Sequence, residues 1–125
     1  TDNKSLNYSK KTRLKKNIRF LILHYTGMQS ARVSLNRLKN PKSKVSCHYF
    51  IERNGKICRM VEDNKTAWHA GKSKYKEREN FNEFSIGIEL EGSVDDIYHA
   101  KGTLIRASKA CIESSKWLLF SIVRP

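Results

Sequence analysis

The sequence is poor in the residues that mark several classes of protein. Its three cysteines, Cys47, Cys58 and Cys111, include no Cys-x-x-Cys pair, which argues against a disulfide framework. Cys47 and Cys58 flank a predicted hairpin, and we expect them to be buried free thiols rather than a bonded pair. With two prolines and six glycines, the chain is not of low complexity. No apolar run reaches the length of a membrane span, and the first residues do not resemble a signal peptide.

Acidic residues are also scarce. The chain has 12 Asp and Glu against 25 Lys and Arg, which gives a net charge of +13. The basic residues crowd the N-terminal segment up to Arg19 and a second run over 72–78. Such a surface favours a polyanionic partner, which could be nucleic acid, anionic lipid or an acidic cell-wall polymer, although a single lysine is more often only solvated. No interleaved aromatic residues or recognition helix accompany the lysines, so nucleic acid is the partner we expect least.

The chain length allows one domain with a single core. Residues 1–16 are polar and basic and predict an arm or an irregular lead-in, followed by one domain over 17–125. The pattern predicts strands over 18–24, 45–52, 56–61 and 85–91, helices over 31–38 and from 102 or 103 to about 122, and a long loop over 62–81. The second and third strands form a hairpin around Asn54-Gly55. This order is typical of an α/β fold with a central mixed β-sheet flanked by helices.

Two polar residues stand out because they occur in apolar runs. Glu89 lies inside Phe-Ser-Ile-Gly-Ile-Glu-Leu (84–90), and His24 ends Phe-Leu-Ile-Leu-His (20–24). A buried carboxylate costs several kcal/mol, on the order of the penalty for any unpaired buried charge, unless it is paired or bound. An imidazole at a strand end is a common way to present a metal ligand or a base, although a lone histidine is more often structural. Together these two residues suggest a site.

Four segments give this site a more specific interpretation. They are Ile-Leu-His-Tyr-Thr (22–26), Ser-Cys-His-Tyr-Phe-Ile (46–51), Ala-Trp-His-Ala-Gly (67–71) and Asn-Glu-Phe-Ser-Ile-Gly-Ile-Glu-Leu-Glu-Gly (82–92). In this order and spacing the chain resembles the zinc-dependent N-acetylmuramoyl-L-alanine amidases of the AmpD type, which share a fold with phage lysozyme-amidases and animal peptidoglycan recognition proteins. The resemblance implies a Zn²⁺ cofactor and hydrolysis of the amide between N-acetylmuramic acid and L-alanine in peptidoglycan or muropeptides.

The resemblance also implies roles for individual residues. His24 falls on a zinc-ligand position and Glu89 on that of the catalytic acid/base, which would take the proton of the attacking water and pass it to the leaving amine. Phage relatives place a tyrosine where this chain has Cys47, so Glu89 is expected to act without it. Glu91 is expected to take no catalytic part.

Four further residues receive supporting roles. Trp68 and His69 match a loop that lines the substrate groove, where an indole can pack on a sugar or peptide. For His69, simply holding the loop in place is an equally good interpretation. His48 is expected to support the site from a neighbouring strand or to be purely structural, and Tyr25 to support the loop after His24.

The family pattern is incomplete in this sequence. A second histidine and an aspartate that complete the zinc site follow the last helix in a Gly-His-x-Asp-like segment, which is absent up to Pro125, and His99 with Asp95 or Asp96 would be poor substitutes. The domain is therefore expected to be incomplete at its C-terminus, unless a partner chain supplies the ligands or the protein is a non-catalytic module that binds peptidoglycan. The bacterial cell envelope is the favoured location, with the cytoplasm as the alternative, and the oligomeric state is left open.

Overall fold

The computed structural model describes residues 3–28, 30–71, 74–75, 78–92 and 118–123. The strands are β1 Tyr8–Ser9, β2 Phe20–Tyr25, β3 Tyr49–Ile51, β4 Ile57–Arg59, β5 Thr66–Ala67, β6 Lys74–Tyr75, β7 Arg78–Glu79, β8 Ser85–Leu90 and β9 Leu118–Val123. One α-helix, α1, spans Ala31–Lys39, and short 3-10 turns cover Lys15–Asn17, Pro41–Ser43 and Phe81–Phe84. Among these described residues, no helix is long and apolar enough to cross a bilayer.

A five-stranded sheet in the order β4-β3-β8-β2-β9 forms the centre of the fold. β3 and β4 are antiparallel, whereas β2 runs parallel to both β8 and β9, and β3 runs parallel to β8. The sheet is therefore mixed, as the sequence predicts. β2 and β8 pair in register from Phe20 with Ser85 to Tyr25 with Leu90, and this register places His24 directly beside Glu89.

The two faces of this sheet differ in chemistry. On one, which we call the apolar face, Leu21 and Leu23 of β2 pack with Ile86, Ile88 and Leu90 of β8. Because side chains alternate along a strand, the other positions of β2 and β8 share the opposite face, which we call the mixed face. Those positions are Phe20, Ile22, His24, Ser85, Gly87 and Glu89.

Helix α1 confirms the predicted helix over 31–38 and has clear boundaries. The Ser30 hydroxyl accepts a hydrogen bond from the backbone N–H of Val33 and caps the N-terminus, and the helix stops at Asn40, before Pro41. Its buried leucines pack with β3, β4 and the segments beside them in one cluster: Leu35, Leu38, Cys47, Phe50, Cys58 and Met60. Both cysteines in that cluster are buried free thiols, as predicted, and Cys111 lies outside the described residues.

The predicted last helix is wrong in its final part. Residues 102–117 lie outside the described part of the chain, but Leu118–Val123 is strand β9, paired with β2, and not the end of a helix. Leu-Leu-Phe-Ser-Ile-Val is a short apolar run, and periodicity alone cannot tell such a run in a buried strand from one in a helix. Leu118 and Leu119 continue a sevenfold spacing of apolar residues that predicts a helical face, but they lie in this strand.

The other elements follow the prediction with changes in length. The hairpin turns at Gly55, whose φ is +90°, but its strands β3 and β4 are shorter than the predicted ones. The long loop contains β5 and the small β6–β7 hairpin.

The N-terminal segment is irregular but packs against the domain. The Ser5 hydroxyl donates to the Leu38 carbonyl at 2.6 Å, the Asn7 amide donates to the carbonyls of Asn40 and Val45 at 2.9 Å each, and β1 pairs with β5.

Candidate active site

The site lies where β2 and β8 end on the mixed face. His24 and Glu89 are register partners at these ends and are 0% and 2% exposed. Parallel strands bring their carboxyl ends to the same edge of a sheet, where binding sites are commonly found. The structure therefore brings together the two residues that the sequence singled out.

His69 reaches this face from the loop after β5. Its backbone N–H and that of Ala70 donate to the Asn82 side-chain oxygen at 3.1 and 2.8 Å, and its ring lies flat over Gly87. A Cβ atom at Gly87 would stand 2.3 Å from Cγ of His69, closer than any real contact. The glycine between two isoleucines is thus required by the imidazole above it.

A chain of hydrogen bonds joins Ser85, His69 and His24, and we call it the relay. The Ser85 hydroxyl donates its only proton to the Phe81 carbonyl at 2.6 Å. Ser85 therefore accepts from Nε2–H of His69, 3.0 Å away. Nδ1 of His69 is then an acceptor and lies 2.9 Å from Nε2 of His24. Burial, and then the neighbouring His24 and His48, hold the pKa of His69 well below its ordinary value, which agrees with a neutral ring.

His48 links the same face to the surrounding segments. Its Nδ1 accepts the backbone N–H of Gly87 at 3.0 Å, so its Nε2–H donates to the Lys65 carbonyl at 2.9 Å. Burial lowers the pKa of His48 to about 4, and the nearby Arg13 charge contributes to this shift. These contacts tie His48 to β8 and to the segment around Lys65, and both predicted interpretations of His48 stay predictions.

Arg13 is a residue of this network that sequence reasoning missed. Its Nη2 lies 2.9 Å from Nε2 of His48, and its other nitrogens donate to the carbonyls of Asp63 and Asn82 at 3.0 and 2.9 Å. Burial lowers its pKa to about 10, opposed by Asp63. Arg13 is one of seven basic residues in the segment up to Arg19, and no local pattern separates it from the solvated ones.

Glu89 is the least satisfied polar group of the site. Its Oε1 is buried and has no hydrogen-bond partner among the residues that the structure describes. Burial raises its pKa to about 8, opposed by the Arg37 charge, so the isolated protein holds this carboxyl protonated at neutral pH. Glu89 lines a small cavity together with Thr26, Met28, Ser34, Arg37, Leu38 and Val45.

The remaining predicted residues lie around the site at different distances from its chemistry. Trp68 is half-buried, and its indole N–H donates to the Ser9 hydroxyl at 3.1 Å. Tyr25 packs with the apolar-face cluster. The Glu91 carboxylate accepts the backbone N–H of Arg53 at 3.0 Å, away from Glu89. Burial and the nearby Glu89 raise the pKa of the Cys47 thiol, so this position holds a neutral thiol.

The described residues do not form a metal site by themselves. Within them, no group of three or more His, Cys, Asp or Glu side chains could hold a metal ion. His24 fits the position of one ligand of such a site, because it stands at the end of β2 beside Glu89. Any further ligands would have to come from outside the described residues.

Comparison with known proteins agrees with this arrangement. The sequence profile of the N-acetylmuramoyl-L-alanine amidase family matches residues 14–124. The 1,6-anhydro-N-acetylmuramyl-L-alanine amidase AmpD of Haemophilus influenzae is 58% identical over 50 residues, which are 40% of this chain and 27% of that protein. The chain thus spans about a quarter of the length of the curated AmpD relatives that it matches.

Solved structures show the same fold. A crystal structure of AmpD superposes with a TM-score of 0.67 at 29% identity, over 93% of this chain and 77% of that one. The Escherichia coli amidase AmiD, in complex with the substrate anhydro-N-acetylmuramic acid-L-Ala-D-gamma-Glu-L-Lys, superposes with a TM-score of 0.63 at 27% identity, over 87% of this chain and 48% of that one. The fold, with its mixed sheet, and the site together place the chain in the amidase class. The chain belongs to the N-acetylmuramoyl-L-alanine amidase family.

Proposed function

We propose that this protein hydrolyses the amide bond between the lactyl group of N-acetylmuramic acid and L-alanine in peptidoglycan or muropeptides, with zinc as cofactor. Water adds to the lactyl carbonyl, the C–N bond breaks, and the products are a lactyl carboxylate and the free amine of the peptide. The proposal follows from family membership and from the similarity to AmpD and AmiD, which are N-acetylmuramyl-L-alanine amidases.

The observation that carries this proposal is the state of Glu89. A carboxyl that is 2% exposed, has an unpartnered oxygen among the described residues and a pKa of about 8 is poised to exchange a proton near neutral pH. Its register partner is the histidine that the family pattern assigns to the metal. We assign Glu89 the role of general acid/base, whose ionised form takes a proton from water and then delivers it to the leaving nitrogen.

Two sets of side chains complete the proposal. His24 would hold zinc through one nitrogen, and a zinc ion in such a site polarises a carbonyl and lowers the pKa of bound water to roughly 7. Trp68 is half-buried and so can still offer part of its ring to a sugar or peptide. His69 has both ring nitrogens engaged within the protein, and we assign it to holding His24 rather than to a direct bond with substrate.

The test compares two glutamates on the same strand end. Glu89 and Glu91 are two residues apart, and each variant, Glu89→Gln or Glu91→Gln, removes one carboxylate. Only Glu89 lies beside His24. With anhydro-N-acetylmuramyl tripeptide and added zinc, we expect Glu89→Gln to release free peptide roughly 100-fold or more slowly, the typical loss when a general acid/base is removed. Glu91→Gln should keep most of the activity. Equal losses in both variants would contradict the assignment.

A second candidate function is binding of muropeptides without cleavage. It is favoured by the lack of a group of three metal-ligating side chains among the described residues. Elemental analysis of the purified chain separates the two functions, since the hydrolase requires about one zinc per chain and the binding module none. A chain without zinc that binds the tripeptide and leaves it intact would establish the second function.

We also propose that the protein acts in the bacterial cell envelope, with the cytoplasm as the alternative. The net charge of +13 suits contact with anionic wall polymers. Fractionation of the producing cells, with the protein detected by antibody, tests this assignment, and recovery only with cytoplasmic markers would overturn it.

A further inference from the structure

We propose that the N-terminal strap, which we define as residues 3–16, docks this protein on the surface of an anionic lipid bilayer. The strap presents lysines that suit negatively charged headgroups and leucines that suit the apolar layer beneath them. This interaction goes beyond the proposed hydrolysis and does not depend on it.

The strap is held against the domain along its length. Near its start, the backbone N–H of Ser5 donates to the Met60 carbonyl at 2.8 Å, and near its end the backbone N–H of Arg13 donates to the Asn64 carbonyl at 2.8 Å. Between these two bonds, strand β1 of the strap pairs with β5. The domain therefore determines which side chains of the strap face outwards.

The usual placement of polar and apolar side chains is inverted around Leu6. Ser5 and Asn7 are each 2% exposed, whereas Leu6 between them is 74% exposed. Both polar side chains donate to carbonyl groups of the domain, so turning Leu6 inwards would break these hydrogen bonds. A single exposed leucine is common on protein surfaces, but this one is held outwards by its neighbours.

The same inversion recurs at Leu14. This leucine is 59% exposed, while the guanidinium of the preceding Arg13 turns inwards and lies 2.9 Å from Nε2 of His48. A charged group is thus directed into the domain and an apolar one away from it. Two outward leucines in one short segment indicate a partner with an apolar layer, because only such a partner removes them from water.

The exposed charge of the strap has one sign. Residues 3–16 contain no Asp or Glu, and their lysines are all exposed: Lys4, Lys10, Lys11, Lys15 and Lys16. A lysine close to an anionic membrane surface strengthens binding by roughly fivefold. The lysines alone would suit any polyanion.

The leucines favour a bilayer over the other polyanions. Nucleic acid and acidic wall polymers would pair with the lysines but would leave Leu6 and Leu14 largely in water, whereas a bilayer surface accommodates both kinds of side chain. Leu6 also borders an open cavity of about 220 Å³, which is lined in part by Met60 and Val61. The apolar surface available to lipid therefore extends beyond the leucine itself.

Co-sedimentation of the full chain with lipid vesicles tests the proposal. Vesicles of equal parts phosphatidylglycerol and phosphatidylcholine should bind the protein at least about tenfold more tightly than vesicles of phosphatidylcholine alone. Leu6→Ser and Leu14→Ser should each weaken binding to the mixed vesicles about tenfold, the effect of losing one buried leucine side chain. Val33→Ser is the matched control, since Val33 is 48% exposed on α1 and not on the strap, and it should leave binding unchanged.

Three results would overturn the proposal. They are equal binding of the wild type to both kinds of vesicle, unchanged binding in both leucine variants shown by urea denaturation to be folded, and tighter binding to double-stranded DNA than to the mixed vesicles at the same salt concentration. The vesicles contain no peptidoglycan, and the measurement needs no zinc. A failure of hydrolysis would therefore reject the proposed function and leave the membrane proposal standing, and a failure to bind vesicles would do the reverse.

Discussion

Strands β2 and β8 of the central sheet contribute side chains to both of its faces, and the two faces differ in what they contribute to the protein. On the apolar face, Leu21 and Leu23 pack with Ile86, Ile88 and Leu90 in one hydrophobic cluster. On the mixed face, one residue step along the same strands, His24 meets Glu89 and His69 lies on Gly87. Burial is equally deep on both, since all six residues of β8 are buried.

The difference shows where the stability and the chemistry of this protein come from. Burial of apolar side chains is favourable without any specific partner, so the apolar face stabilises the fold by itself. Each buried polar group of the mixed face must instead form a hydrogen bond, because an unpaired one raises the free energy of the folded state. His24, His48 and His69 find theirs, whereas Glu89 keeps one oxygen without a partner among the described residues. A residue that fails a folding criterion in this way is a candidate for function.

The largest effect on stability should come from the apolar face. Leu23 is 1% exposed, and Leu23→Ala should lower the free energy of unfolding by about 2–5 kcal/mol through lost burial and the cavity left behind. Ile57→Ala is the control, since Ile57 is 62% exposed and its loss should change stability by less than about 0.5 kcal/mol. Urea denaturation measures both. A loss below about 1 kcal/mol for Leu23→Ala would contradict the conclusion that the apolar face stabilises the fold.

The next effect is a pH dependence caused by Glu89. The folded protein keeps this carboxyl protonated up to about pH 8, against 4.5 for an ordinary glutamate. The folded state therefore binds one more proton than the unfolded state between these values, and its stability falls as the pH rises through that window. Glu89→Gln removes this pH dependence. The free energy of unfolding of the variant, relative to that of wild type, should therefore rise on the order of 3 kcal/mol from pH 4.5 to pH 7.

Urea denaturation of both proteins in EDTA, at several pH values, measures the difference. Glu91→Gln controls for the loss of one carboxylate at the same end of β8. A difference between Glu89→Gln and wild type that does not change with pH would show that Glu89 is not held protonated.

A smaller effect is expected where His69 meets the sheet. Gly87→Ala places a methyl group 2.3 Å from the His69 ring, so the imidazole must move, and overpacking of this kind costs about 1–3 kcal/mol. In a His69→Ala background the collision is gone, and the same Gly87→Ala change should cost much less. Thermal or urea unfolding of the four proteins in this double-mutant cycle gives the coupling. Equal costs in both backgrounds would mean that the ring does not rest on Gly87.

Local patterns were enough to predict the elements that carry the site. The apolar runs at β2 and β8, the capped helix α1 and the Asn54-Gly55 turn all depend on residues close in sequence, and the structure has each of them. The apolar run over 118–123 was assigned to the wrong element, because its pairing with β2 is a property of the sheet and not of the segment.

The connections between the site residues could not be predicted in the same way. Arg13 contacts His48, which is 35 residues away, and His24 contacts His69 over 45 residues. Such contacts depend on three-dimensional proximity, which leaves no local pattern. Ser85 shows the limit clearly, since nothing in the sequence separates a serine that contacts an imidazole from one that only begins a strand.

The smallest effect concerns the loop that carries His69 to the mixed face. Trp68 donates its indole N–H to the Ser9 hydroxyl, and Trp68→Phe removes this hydrogen bond while it keeps an aromatic ring. We expect a loss of about 1 kcal/mol in the free energy of unfolding, and the same loss should vanish when Ser9 is already alanine. If Trp68 also packs on substrate, as we propose, Trp68→Phe should leave KM for the muropeptide nearly unchanged while Trp68→Ala raises it. A rise in KM of equal size in both variants would show that the indole N–H, rather than the ring, is what the substrate needs, and the bond to Ser9 would then have to be broken on binding.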